Sequence, residues 1–249
     1  MGSRLLVGSF VLLAVLTVGC AESDPQSAAA PGTQPVLGVD HAALGFIDVY
    51  EAVVAPWCSA VLVAPDVVMT AARCVEDIAA SRIRFGVGGV TADGAEGGMF
   101  QVRQVMVNPD HAQWQHDLAA LILARPLTNV TPVAMGVDLG APARLESVAY
   151  SYVHRGESGV RTVWAGNAQP SDDSIAVVPS EGKPSCQCVT GAGMLNEAGQ
   201  LLGLVSAGAM RDPNDPSASC AATFNLAAVS HNQAFLQQAL AASATAVVP

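Results

Sequence analysis

The sequence predicts an all-β fold that ends in one short helix. Short β-branched runs are separated by turn residues, as at residues 60–63 and Val67–Thr70, which flank the turn at Pro65. Helical periodicity is found near the C-terminus, where apolar residues recur on one face of residues 232–242. The chain has 249 residues, enough for one large domain or for two small barrels that share a core.

Net charge, the length of the apolar runs and the cysteine spacing exclude several classes of function. Net charge is −10 with only 11 Lys and Arg, so no basic patch can form and nucleic acid is excluded as a partner. No internal apolar run reaches the length of a membrane span. Cys186 and Cys188 are the one tight cysteine pair and no histidine lies near them, so we expect neither a metal nor a cofactor.

The first 20 residues have the pattern of a signal peptide, with Arg4 before the apolar residues 5–18. Residues 16–20, Leu-Thr-Val-Gly-Cys, resemble a bacterial lipobox, which implies acylation of Cys20, although Thr17 stands where Leu, Val or Ile is commoner. Ordinary cleavage and secretion is the alternative. Residues 21–35 contain almost no large apolar residue and are predicted to be a flexible tether. The folded domain is assigned to residues 36–242 and a tail to 243–249. The protein is therefore expected in the bacterial cell envelope or outside the cell.

The predicted strand pair around Pro65 brings its two ends together, so Cys58 and Cys74 could meet as a disulfide. Residues 57–75, from Trp-Cys-Ser-Ala-Val-Leu to Val-Met-Thr-Ala-Ala-Arg-Cys-Val, resemble the segment that carries the catalytic histidine in trypsin- and chymotrypsin-like serine proteases. Arg73 stands where that family has its general base.

Further strands are predicted at residues 82–88 and 100–108, with Gly94, Gly97 and Gly98 in the turn between them. Residues 116–127, beginning His-Asp-Leu-Ala-Ala-Leu, resemble the segment that carries the triad aspartate, and Asp117 is the matching residue. From residue 140 to 184 the pattern is thinner, and strands are predicted only at 147–153 and 175–178.

Residues 184–208 contain Cys-Gln-Cys-Val-Thr-Gly-Ala-Gly and then Gly-Leu-Val-Ser-Ala-Gly, which resemble the family's nucleophile segment and the strand after it. The resemblance places Thr190 at the nucleophile, and Cys188 and Thr190 at the two oxyanion positions. It also implies a second disulfide, between Cys186 and Cys220, which would leave Cys188 as a free thiol; the alternative is that Cys188 takes the place of Cys186 in that disulfide.

The resemblance spans residues 36–242 and implies two six-stranded antiparallel barrels side by side, with a cleft between them. It places Arg73, Asp117 and Thr190 at the three triad positions. Because a guanidinium remains protonated, Arg73 cannot accept a proton, and we predict instead a bidentate salt bridge with Asp117. Thr190 keeps a hydroxyl but has no base beside it.

Other family positions also differ. Val189 replaces the aspartate that pairs with the freed N-terminal amine, and the chain near Val36 has no visible activation site. Pro184 stands at the base of the specificity pocket. Ser206 and Gly208 are retained, so an extended peptide could pair there, although a plain buried strand is the other interpretation.

The leading hypothesis is a non-catalytic homologue, exported and lipid-anchored, that acts as a binding or scaffold module. Its partner would be an extended peptide or an envelope protein, and its only membrane contact the N-terminal lipid. The alternatives are a divergent serine-type endopeptidase that uses Thr190 or Cys188, and a purely structural envelope protein.

Overall fold

The computed structural model describes residues 37–49, 56–91, 94–137, 139–151, 160–171, 174–181, 189–208 and 223–244. Within these ranges the chain forms fourteen strands and one α-helix, α1 (Gln233–Ala244). The strands, in chain order, are β1 (Leu44–Asp48), β2 (Cys58–Ala64), β3 (Val67–Thr70), β4 (Arg84–Val87), β5 (Val90–Thr91), β6 (Gly94–Ala95), β7 (Met99–Val107), β8 (Ala119–Leu123), β9 (Ala143–Ser151), β10 (Val160–Ser171), β11 (Ser174–Glu181), β12 (Gly193–Leu195), β13 (Leu201–Gly208) and β14 (Phe224–Ala228).

Twelve of the described strands close into two six-stranded antiparallel barrels. The first has the order β1-β2-β3-β8-β7-β4 and the second β10-β11-β14-β13-β12-β9. In each closed barrel every strand has a paired neighbour on both sides along at least part of its length. The predicted fold class, two six-stranded barrels with a C-terminal helix, is confirmed.

The strand pair predicted around Pro65 is also confirmed. Strands β2 and β3 are antiparallel neighbours, with Val61 opposite Met69, and the turn lies at residues 65–66. Cys58 and Cys74 form a disulfide with their Cα atoms 6.1 Å apart. The disulfide ties the start of β2 to the short 3₁₀ turn Ala72–Cys74 that follows β3.

Two parts of the chain differ from the expectation. The twelve-residue β10 was not predicted, because Gly166 and Pro170 lie within it and both residue types are depleted in strands. The glycine turn predicted at 94–98 is present at residues 96–97, but Gly94–Ala95 form β6, which pairs with β5 in a small two-stranded sheet.

Strand β9 lies at the seam between the barrels, because its alternate side chains belong to different cores. Leu145 and Ala149 pack in the second barrel, whereas Val148 and Tyr150 pack with the first. The Tyr150 hydroxyl lies 2.9 Å from the carbonyl oxygen of Leu44, in the first barrel. The two barrels therefore share one continuous buried contact.

Helix α1 closes the fold by packing its apolar face on the first barrel's core. Phe235, Leu236 and Ala239 are the buried residues of that face. Across the described ranges, no helix combines the length and the apolar character that crossing a bilayer requires.

Candidate functional site

Asp117 is a carboxylate buried at the mouth of the first barrel. It follows the short 3₁₀ turn Trp114–His116 and precedes β8, and its side chain is only 2% exposed. A carboxylate so deeply buried is tolerated only when donors or a cation compensate its lost hydration. Three donors meet it: the Arg73 backbone N–H, the Arg73 guanidinium and the Ser206 hydroxyl.

Arg73 lies in the 3₁₀ turn Ala72–Cys74, which the Cys58–Cys74 disulfide holds in place. Its Nε donates to Asp117 Oδ2 at 2.5 Å, and its backbone N donates to Asp117 Oδ1 at 3.1 Å. The ion pair predicted from the sequence is present. It is not the predicted bidentate fork, because the second guanidinium contact goes elsewhere: Nη2 donates to Ser206 Oγ at 3.1 Å.

Ser206 completes this group from the second barrel. Its hydroxyl donates to Asp117 Oδ2 at 2.7 Å and accepts from Arg73, which a hydroxyl can do at once because it has one proton and two lone pairs. The pairing of β13 with β14 is irregular between Val205 and Ala207, so Ser206 sits in a local bulge. Bulges redirect side chains, and here the redirected hydroxyl points across the seam.

Thr190 lies in the turn before β12, and no hydrogen bond among the described residues joins its hydroxyl to Arg73 or Asp117. Its carbonyl accepts from Ser59 N at 2.9 Å, which ties the turn before β12 to the first barrel. The next residue, Gly191, has φ +82°, and a Cβ there would lie 2.2 Å from the Ser59 carbonyl oxygen. The turn therefore requires glycine both for its backbone conformation and for this close approach.

Three of the four described histidines are engaged elsewhere, and the fourth, His231, is exposed. His116 adjoins Asp117 in sequence, yet its Nδ1 lies 2.9 Å from Asn232 Oδ1. His111 contacts the Asn108 carbonyl and Glu76, and His41 contacts Glu146. Among the residues that the structure describes, no histidine hydrogen-bonds Asp117 or Thr190, and no cluster of His, Cys, Asp and Glu could hold a metal ion.

Comparison with known proteins identifies the fold family. A family model described as Trypsin matches residues 41–227 of the chain. The chain belongs to the trypsin-like serine protease family. Among solved structures, human heparin binding protein matches with a TM-score of 0.64 and 16% identity, over 83% of this chain and 93% of that one. An atomic-resolution structure of HBP matches with a TM-score of 0.62 and 16% identity, over 84% and 94% of the two chains. Comparison of the sequence with curated proteins found no significant match.

In a trypsin-like serine protease, acyl transfer needs a hydroxyl nucleophile, a base that takes its proton, and a carboxylate that orients the base. The group found here supplies an oriented carboxylate, because Asp117 accepts hydrogen bonds from the Arg73 backbone N–H and from the Ser206 hydroxyl. The third donor is a permanently protonated guanidinium, which can neutralise the carboxylate but cannot accept a proton. The arrangement is an ion pair within the first barrel that a hydroxyl from the second barrel joins.

Several predicted site residues lie outside the described part of the chain. They are Cys20, Pro184, Cys186, Cys188 and Cys220, so the acylation, the second disulfide and the Cys188 oxyanion assignment stay predictions. Gly208 ends β13 and pairs with Phe224 of β14. Val189 is 3% exposed and packs in the core of the second barrel.

Sequence reasoning did not identify one buried polar pair, Glu146 and His41. Glu146 is fully buried on β9, and His41 Nε2 lies 2.7 Å from its Oε1. The available signal was a lone carboxylate within the otherwise apolar and small residues 145–150. Such a residue in a strand that is buried on both faces has to find partners inside the protein.

Proposed function

We propose that this chain is a non-catalytic member of the trypsin-like family, exported and lipid-anchored through Cys20, that acts as a binding or scaffold module at the bacterial cell envelope. One observation carries the proposal: the Arg73 guanidinium is bound to Asp117 and Ser206, where proteolysis needs a proton acceptor. By resemblance Arg73 takes the place of the base and Thr190 that of the nucleophile.

The surface proposed for the partner is the end of β13 at residues 206–208, where no described strand pairs on the side away from β14. Residues 203–205, 207 and 208 pair with β14 on one side, whereas on the other β12 and the turn before it bind only residues 201–205. An extended peptide could pair with the remaining backbone groups as an added strand. Heparin is not proposed as a ligand, because a net charge of −10 opposes binding of a polyanion.

A peptidase assay tests the absence of catalysis. A panel of fluorogenic peptides with every residue type at the cleavage position is expected to show no turnover. A serine-directed covalent probe is expected to leave Thr190 unlabelled, and a cysteine-directed probe is expected to label Cys188 no faster than an ordinary free thiol. Turnover that disappears when Thr190 or Cys188 is replaced by alanine would instead establish the divergent endopeptidase.

The variant R73H/C188G/V189D/T190S restores the residues that the family has at these four positions and serves as the positive counterpart of the parent in the peptidase assay. Because Asp117 keeps its backbone and hydroxyl donors, a histidine at residue 73 would face an oriented carboxylate. Detectable peptidase activity in this variant, with none in the parent, is the result that supports loss of catalysis at these positions.

Localisation is tested separately by the intact mass of the mature protein. A diacylglyceryl or triacyl adduct on a chain that begins at Cys20 supports the anchor. An unmodified chain that begins at another residue would show that the protein is secreted without a lipid anchor. The same mass reports how many of the six cysteines are oxidised.

A further inference from the structure

The ion pair of Arg73 with Asp117 is exposed to solvent only on its cationic side. The Arg73 side chain is 47% exposed, whereas the Asp117 side chain is 2% exposed. Nε of the guanidinium is engaged by Asp117 and Nη2 by Ser206, and Nη1 has no partner among the described residues. The group therefore presents unused, positively charged hydrogen-bond donors to the solvent, and such donors bind anionic groups.

The side of β13 that lies away from β14 is filled as far as Val205. Gly191 N donates to the Val205 carbonyl at 2.7 Å, and Val205 N donates to the Ala192 carbonyl at 2.9 Å, both within the turn before β12. Ser206 is the next residue, and its Oγ accepts from Arg73 Nη2 at 3.1 Å. The part of this side that no described strand covers therefore begins at the residue that contacts the guanidinium.

The direction of an added strand decides which end of a bound peptide meets Arg73. A peptide that pairs antiparallel with β13 begins opposite Gly208 and ends opposite Ser206, because the turn before β12 blocks its continuation. Its C-terminal end then lies at the guanidinium. A parallel peptide would instead bring its N-terminal ammonium to the same cation, and the like charges would repel. The guanidinium therefore favours an antiparallel peptide that ends at this point.

We propose that Arg73 binds the free C-terminal carboxylate of an extended peptide that is added to the end of β13. The inference rests on the function proposed above and names the chemistry of the partner, which is the C-terminal end of another polypeptide. A carboxylate matches the guanidinium in charge and in planar shape. Because the chain has a net charge of −10, further acidic residues in the peptide are disfavoured, and neutral or basic residues are expected before its terminus.

Two pools of N-acetylated hexapeptides test the proposal, one with free C-terminal carboxylates and one with C-terminal amides. Acetylation leaves the C-terminus as the only difference in charge between the pools. Peptides retained by the immobilised protein are identified by mass spectrometry, and their affinities are measured by fluorescence anisotropy. The retained free acids are expected to bind about tenfold more tightly than their own amides, which is the size of one charge-assisted hydrogen bond. This comparison uses the unaltered protein, so it does not depend on whether any variant folds.

Three variants assign the preference to the guanidinium. R73M should bind acid and amide equally, and R73K should keep part of the preference. R125M changes an exposed arginine elsewhere and should keep all of it. A full preference in a folded R73M protein would overturn the role of Arg73.

The remaining outcomes separate this inference from the function on which it rests. Equal binding of acid and amide by the parent would overturn the carboxylate site and leave strand addition at β13 standing. Retention of amidated peptides that share Asp or Glu would overturn the terminal carboxylate in favour of an acidic side chain. Retention from neither pool would overturn the β13 surface itself. Cleaved peptides in the unbound fraction would overturn the non-catalytic function instead.

Discussion

Replacing Arg73 by methionine removes the guanidinium and keeps a side chain of similar length. Asp117 would then stay buried, with its side chain 2% exposed, and would keep only the backbone and Ser206 donors. Removing one partner of a buried ion pair costs about 3–5 kcal/mol, and one hydrogen bond to a charged group about 1.5–3 kcal/mol. Because the Arg73 side chain is 47% exposed, water screens part of the pair, and we expect a loss of about 2 kcal/mol.

The assay is urea unfolding under oxidising conditions, with the melting temperature as a second readout. A loss of about 2 kcal/mol corresponds to a fall of about 4–8 °C for a domain of this size. R73K keeps the charge but not the planar fork that reaches both Asp117 and Ser206, so an intermediate loss of about 1 kcal/mol is expected. R125M changes an exposed arginine and should stay within about 0.5 kcal/mol of the parent.

A double-mutant cycle separates the ion pair from other effects of the substitution. Arg73 and Asp117 are in direct contact, so R73M and D117N should be coupled by about 1 kcal/mol or more. Additive losses, or an R73M protein as stable as the parent, would refute the view that the guanidinium stabilises the buried carboxylate.

Three further outcomes are expected from urea unfolding. The unfolding free energy should fall as pH drops through about 6.5, because the pKa of His41 is lowered in the folded protein and the unfolded chain therefore binds more protons. H41Q should make the unfolding free energy depend less on pH, and an unchanged dependence in H41Q would contradict this assignment to His41. The double variant C58A/C74A should lose about 3 kcal/mol, the value for a loop of about this length; a loss under about 1 kcal/mol would argue against it. G191A should cost at least about 2 kcal/mol more than G199A, since both glycines have positive φ but only the first would place a Cβ against backbone; equal costs would show that the turn relaxes.

Local patterns were sufficient to predict the first barrel's central pair. The strands on either side of Pro65 are read directly from β-branched runs and a turn, and a disulfide that closes such a pair follows from its geometry. The contact of Arg73 with Asp117 was predicted from the family resemblance, which places the two residues at neighbouring triad positions, and not from a local pattern.

The rest depends on contacts between distant parts of the chain. The third contact of Arg73, with Ser206, exists because β13 bulges at that residue, and one sequence does not show where a ladder changes register. Glu146 meets Leu37 across 109 residues, and a carboxylate inside a strand pattern is ordinarily assigned to solvent. Nothing in the composition of residues 145–150 indicates which donors will meet it.

The alternation of β9 has a consequence for how the protein behaves as a whole. Val148 and Tyr150 fill the first barrel's core although their strand belongs to the second, so neither half could be expressed alone without exposing an apolar stripe. Heat or denaturant should therefore melt both halves in one cooperative step. For the cell, damage to either half would commit the entire polypeptide to degradation.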